Sequence, residues 1–134
     1  MPTSKELTIR TEDKPGTLGK LCQTLADQKV NVVAFQAVPS DRDSVVRMVV
    51  DNLTTAKKVL DTERLSYTET DVAQARLPNR PGELARAAAQ LGGANINIEY
   101  AYSGLDSSNS PFVFFGVKDA GRAAMILDKI ATAA

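Results

Sequence analysis

Two stretches of this chain repeat one pattern sixty-six residues apart: Asp13-Lys14-Pro15-Gly16-Thr17-Leu18 and Asn79-Arg80-Pro81-Gly82-Glu83-Leu84. Each reads short polar, basic, Pro, Gly, any residue, Leu. The register persists further on, because Val30-Asn31-Val32 and Ile96-Asn97-Ile98 stand at the same offset. Six matching residues could arise by chance. A match that keeps its register over about thirty residues, with the same predicted elements, is one structural unit built twice. The units are expected at residues 1–70 and 71–134 of the 134. At that size a core is thin. The units are therefore expected to share a core or an interface, or to pair with a second copy.

The first unit opens with Lys5–Thr11, where Leu7 and Ile9 alternate with Thr8 and Arg10, the period of a half-buried strand. Residues 12–16 end it, with Asp13 readable as a helix N-cap and Pro15 as the first helical residue. Leu18, Leu21, Cys22 and Leu25 then form one helical stripe. Cys22 on that stripe reads as a small core residue. A strand is predicted over Val30–Val38, with both faces largely apolar. A turn over 39–43 leads to a second strand, Ser44–Val50. Leu53, Ala56, Val59 and Leu60 mark a shorter helix, and Leu65–Thr70 supplies a closing strand.

The second unit follows with no Gly/Ser linker. A strand over Asp71–Leu77 precedes a helix bearing Leu84, Ala87, Ala88 and Leu91, which Gly92-Gly93 is expected to end. A strand is predicted over Asn95–Tyr102, a polar loop over Ser103–Ser110, a strong strand over Phe112–Val117, and a helix through Ala123, Ile126, Leu127 and Ile130. The sequence ends at Ala134, so the second unit is expected to lack its last strand. That open edge would call for cover, and a homodimer is expected to provide it. The fold class is thus α+β: two ferredoxin-like βαββαβ units, antiparallel sheets with helices on one face.

Composition removes several kinds of chemistry. There is no histidine, the commonest general base and a frequent metal ligand. One cysteine allows neither an intrachain disulfide nor a multi-thiolate metal site. Formal net charge is zero with no long basic run, which argues against a nucleic-acid partner. Phe112, Phe114 and Phe115 lack the basic and glycine surroundings of an RNA platform and read as core. No apolar run approaches a membrane span, and Met1–Glu6 has no apolar signal core, so no membrane partner and a cytoplasmic location are expected. No cofactor, no metal and no enzymatic activity are expected.

The Pro-Gly-Leu helix starts and the Val-Asn-Val and Ile-Asn-Ile segments resemble the ACT domain family, small regulatory modules that bind amino acids, and they do so twice along nearly the whole chain. Leu77–Gly82 and Asn95–Tyr100 are the sharper match, similar to the stand-alone tandem ACT proteins of bacteria. The resemblance implies a ligand at an interface between two ACT units, held by the loop after the first strand and the start of the second. In the serine-regulated phosphoglycerate dehydrogenases of that family, asparagines at the positions matching Asn79 and Asn97 contact the ligand. Independently of the family, backbone N–H groups at Gly16, Thr17, Leu18 and at Gly82, Glu83, Leu84 would open a helix, a natural carboxylate site. Asn31 is the first unit's counterpart of Asn97, and asparagine is depleted in strands. Asp13 departs from the family pattern. A carboxylate there would repel a ligand carboxylate but could hold an ammonium. Asp13 and Asn79 are equally readable as plain helix caps. The expected function is non-enzymatic sensing of a free amino acid. The alternative is a regulatory or scaffolding subunit that binds a partner enzyme or regulator without a metabolite.

Overall fold

The first strand, β1 (Thr3–Glu12), lies antiparallel to β3 (Asp43–Val50), with Leu7 opposite Met48 and Ile9 opposite Val46. On its other side β3 pairs with β2 (Val32–Ser40), again antiparallel, placing Phe35 opposite Met48 after a register shift between Val32 and Ala34. Cross-strand partners share a face. On the face of Leu7, Ile9, Val46 and Met48 lie Leu21 and Leu25 of α1 (Thr17–Asp27) and Ala56, Val59 and Leu60 of α2 (Leu53–Thr62), in one buried cluster. This is the core of a compact unit, Lys5–Thr70. The computed structural model describes residues 3–105 and 111–133, with side chains as far as Ile130.

The second unit spans Asp71 onward and includes Thr3 and Ser4. Its central strand is β6 (Pro111–Gly116), antiparallel to β4 (Ser66–Arg76) on one side and to β5 (Tyr100–Leu105) on the other. Ala73, Ala75 and Phe115 pack against Ala87 and Leu91 of α3 (Glu83–Gly93) and Ala123, Leu127 and Ile130 of α4 (Ala120–Ala133). Tyr100 and Tyr102 stack at 6.4 Å, Tyr102 and Phe114 at 5.6 Å.

The strand expected to close the first unit and the one expected to open the second are a single strand, β4. Among the described residues no strand follows α4. The β4 edge expected to stand open has a neighbour, since Ser4 Oγ donates a hydrogen bond to Gln74 Oε1.

Three helices end alike, each with a left-handed turn on a residue other than glycine. Lys29, Arg64 and Asn95 take positive φ of 61°, 56° and 62°. The next N–H then reaches back five residues: Val30 to the Leu25 carbonyl (3.0 Å), Leu65 to Leu60 (3.0 Å), Ile96 to Leu91 (2.9 Å). This is the Schellman closure, with an apolar contact behind it. It corrects the expected strand over Asn95–Tyr102: residues 95–99 are spent turning out of α3, and β5 begins only at Tyr100. Ser103–Leu105, expected in a loop, continue β5, and residues 106–110 of that loop lie outside the described residues.

Candidate functional site

Both repeated loops fold alike. Gly16 (φ 90°) and Gly82 (φ 89°) are the N-cap residues of α1 and α3. A left-handed N-cap suits glycine and strains other L-residues. A Cβ at either position would meet nothing within 4 Å, so conformation and not crowding selects the glycine. Neither helix has a side-chain cap, so Asp13 and Asn79 are not helix caps. Pro15 and Pro81 precede the N-cap and do not open the helix, because the glycine turn comes between. The first-turn N–H groups of Leu18 and Gly19, and of Leu84 and Ala85, therefore face outward from an uncapped helix start, the arrangement that favours an anion.

The two helix starts differ in what stands on them. Glu83, in the first turn of α3, accepts from Arg80 Nε at 2.9 Å and lies 3.6 Å from Arg86 Nη2. Its Oε1 is buried with no hydrogen-bond partner. As placed, this carboxylate fills the end of α3 that an incoming carboxylate would seek. Thr17 holds the same position on α1 and leaves that end open. It lines a cavity of about 270 Å³ with Thr11, Lys14, Lys20, Thr24 and Glu63. Lys14 is partly neutralised there by Glu12 at 2.9 Å. Leu18 is half-buried, whereas Leu84, expected on the core stripe, is 55% exposed.

The asparagines lie at the other end of each unit. Asn31 directly precedes β2, and Asn97 sits in the extended run before β5. Asn31 N–H donates to Asp51 Oδ1 at 2.9 Å, and Asp51 N–H donates back to the Asn31 carbonyl at 3.1 Å. Asn97 lines a second cavity, about 330 Å³, with Asn95, Glu99, Lys118, Asp119 and Arg122. The structure does not bring Asn79 and Asn97 together within their unit: α3 runs between them, and its eleven residues span about 16 Å at about 1.5 Å each. A third cavity, about 530 Å³ and lined by Arg86, Gln90, Ile126 and Lys129, touches none of the ten candidate residues.

Glu99, Lys118 and Arg122 were not singled out from the sequence. The available signal was a break in the repeat, where Lys118 stands between β6 and α4 and Asp51 between β3 and α2. Cys22 is half-buried on α1, and burial pushes its thiol up. Among the described residues no group of three or more His, Cys, Asp or Glu is placed to hold a metal ion, and no helix is long and apolar enough to cross a membrane.

A family model described as an ACT domain pair matches residues 2–133. A solved structure of a Bacteroides thetaiotaomicron protein is similar at TM-score 0.84 and 26% identity, over 97% of this chain and 90% of that one. The ligand-free regulatory subunit of aspartate kinase from Thermus thermophilus is similar at TM-score 0.65 and 19% identity, over 98% and 92%. The corresponding regulatory subunit from Thermus flavus gives 0.58 and 18%, over 96% of each chain. The two Thermus proteins share the fold at identities that speak for fold alone. No curated protein matches this sequence.

Proposed function

The chain belongs to the ACT domain pair family, and on that premise we propose that it is a non-enzymatic regulatory protein that senses a free amino acid at an interface between ACT units. The observation that carries this reading is the pair of glycine-capped helix starts at Gly16 and Gly82, alike within a degree in φ and free of side-chain caps. Outward N–H groups at the α1 start, which carries no acidic residue in its first turn, suit an amino acid's carboxylate. An asparagine amide both donates and accepts, so Asn31, Asn79 or Asn97 suits either end of an amino acid. A ligand that touches both a glycine loop and a strand-start asparagine must draw them from different units, of one chain or of two, given the helix length between them. Ligand then favours one arrangement of units over another and alters the activity of a partner. That outcome requires differential affinity for the two states. The proposal sets this protein to work in the cytoplasm as a homodimer.

A second reading, a regulatory subunit that binds a partner protein without a metabolite, is favoured by exposed apolar side chains at Phe35, Leu84, Leu105 and Met125. Thermal stability measured against each common amino acid at millimolar concentration separates the two. A ligand at about 100 times its dissociation constant adds about 2.7 kcal/mol. A stabilising shift with one or a few amino acids is expected. A flat response to all of them would sink the sensor reading and leave the partner-binding one.

A further inference from the structure

The cavity of about 530 Å³ is a groove between α3 and α4. Arg86 and Gln90 line it one turn apart on α3, and Ile126, Lys129 and Ile130 line it on α4. Residues three and four apart on a helix share a face. The floor is the margin of the core: Ile130 is buried, and half-buried Ile126 packs on the core cluster. The rim is cationic, and no acid lines the groove. Arg86 meets Glu83 only at 3.6 Å, beyond a hydrogen bond, and among the described residues no acid pairs with Lys129. Arg122, one turn before Ile126 on α4, adds a third cation beside the groove, where its Nη2 donates to the Ala94 carbonyl at 2.8 Å.

The first unit has the corresponding groove and partly fills it itself. Lys20 and Thr24, sixty-six residues before Arg86 and Gln90, line the cavity of about 270 Å³. There α2 ends at Thr62, and the turn into β4 brings Glu63 and Leu65 to the cavity, with Leu65 N–H bonded to the Leu60 carbonyl at 3.0 Å. An acid and a leucine from the chain itself thus stand in the groove that Lys20 lines. In the second unit α4 runs on as helix to Ala133. Counted from the caps Asn52 and Asp119, Ile130 stands where the first unit has Glu63. Among the described residues no turn enters this second groove.

We propose that the groove between α3 and α4 docks an acidic segment of a partner protein. The segment seats large apolar side chains on Ile126 and Ile130 and sets flanking carboxylates against Arg86 and Lys129. An apolar centre inside a charged rim is the common anatomy of a protein contact. Covering the isoleucines removes apolar surface from water, and opposite charges on the rim steer and register the approach. A nucleic-acid backbone would meet the cations but leave the isoleucine floor bare. A second copy docked face to face would set these cations against themselves, since a two-fold contact uses one patch twice, and like charges oppose it. This inference rests on the reading that the chain acts through a partner, and it names the surface and the charge of that contact. It does not require an amino-acid ligand.

The test is a fluorescence-anisotropy and amide NMR titration of the full chain with labelled helical peptides of about twelve residues. One carries leucines spaced three and four apart, flanked by glutamates. A second has lysines for the glutamates, and a third has serines for the leucines. Shifts with the glutamate peptide are expected at Gln90, Ile126 and Lys129 and not at Lys20 or Thr24. Lys129 is exposed, so Lys129→Glu leaves the fold intact and should weaken binding about tenfold or more, whereas Lys129→Arg should keep it. Raising salt from about 50 to about 500 mM should also weaken it. The lysine and serine peptides should each bind at least about tenfold more weakly. Equal affinity of the lysine peptide, or of the Lys129→Glu chain for the glutamate peptide, overturns the proposal. So does no binding of the glutamate peptide at millimolar concentration. Shifts at the same residues on concentrating the chain alone would give the groove to a second copy, and shifts with a short oligothymidine would give it to nucleic acid; either overturns the proposal. The thermal response to amino acids tests sensing separately, and none of these outcomes alters it.

Discussion

At the scale of single residues, backbone conformation shaped the repeated loops more than side-chain contact did. Gly82 has empty space where a Cβ would go, so Gly82→Ala meets no clash and tests conformation alone. At φ 89° an L-residue pays about 1–2 kcal/mol, and urea unfolding of Gly82→Ala should show a loss of that size. Lys29 gives the opposite test. It already bears positive φ as an exposed lysine, so Lys29→Gly should gain about 0.5–1 kcal/mol by relieving that strain. A loss on the same urea scale would show that the lysine side chain has an unseen role. The glycines before α1 and α3 were legible because Pro-Gly at a strand end has few other uses. Lys29 and Asn95 were not, because neither residue type announces a left-handed turn as glycine does. Gly92-Gly93 looked like the stop signal. The turn is instead fixed by buried Val30 and Ile96 closing over Leu25 and Leu91.

At the scale of elements, the same turn explains the one misplaced strand. Asn95-Ile96-Asn97-Ile98 alternates like a strand, but Ile96 is used to close α3, and pairing with β6 is delayed until Glu99 N–H donates to the Gly116 carbonyl at 2.8 Å. Period-two alternation could not distinguish a strand from an extended exit out of a helix. The strong strand, β6, was legible from its run of aromatics, and Phe114 and Phe115 are indeed buried. Its glycine has a specific reason. Tyr100 lies directly across from Gly116, and a Cβ there would stand 2.1 Å from Tyr100 Cζ. Gly116→Ala must displace a ring that also stacks on Tyr102, and should cost about 1–3 kcal/mol in thermal or urea unfolding. Adding Tyr100→Ala should recover part of that cost. Simple additivity of the two changes would mean that the ring yields freely.

At the scale of the whole molecule, the duplication was fully legible, because a repeat in register constrains every element at once. The candidate site was legible only in pieces. Its loops and asparagines stood out, but a linear pattern gives no distance, and the helix that separates Asn79 from Asn97 emerges only on folding. The placement of Thr3 and Ser4 with the second unit was not legible either, since nothing in that polar start marks it. It also changes the grounds for a homodimer. The expected open edge of β4 has Ser4 beside Gln74, so an uncovered edge no longer supplies the driving force. What remains is apolar exposure: Phe35, Leu105 and Met125 each expose more than half of their surface. Large apolar side chains standing that far into water favour association when they are gathered on an interface. Light scattering at high micromolar concentration is therefore expected to give twice the 14.4 kDa chain mass. Phe35→Ser should shift that mass downward if Phe35 is part of the contact. A single-chain mass for the natural sequence at such concentrations would remove the dimer, and any ligand bridging two units would then have to draw both from one chain.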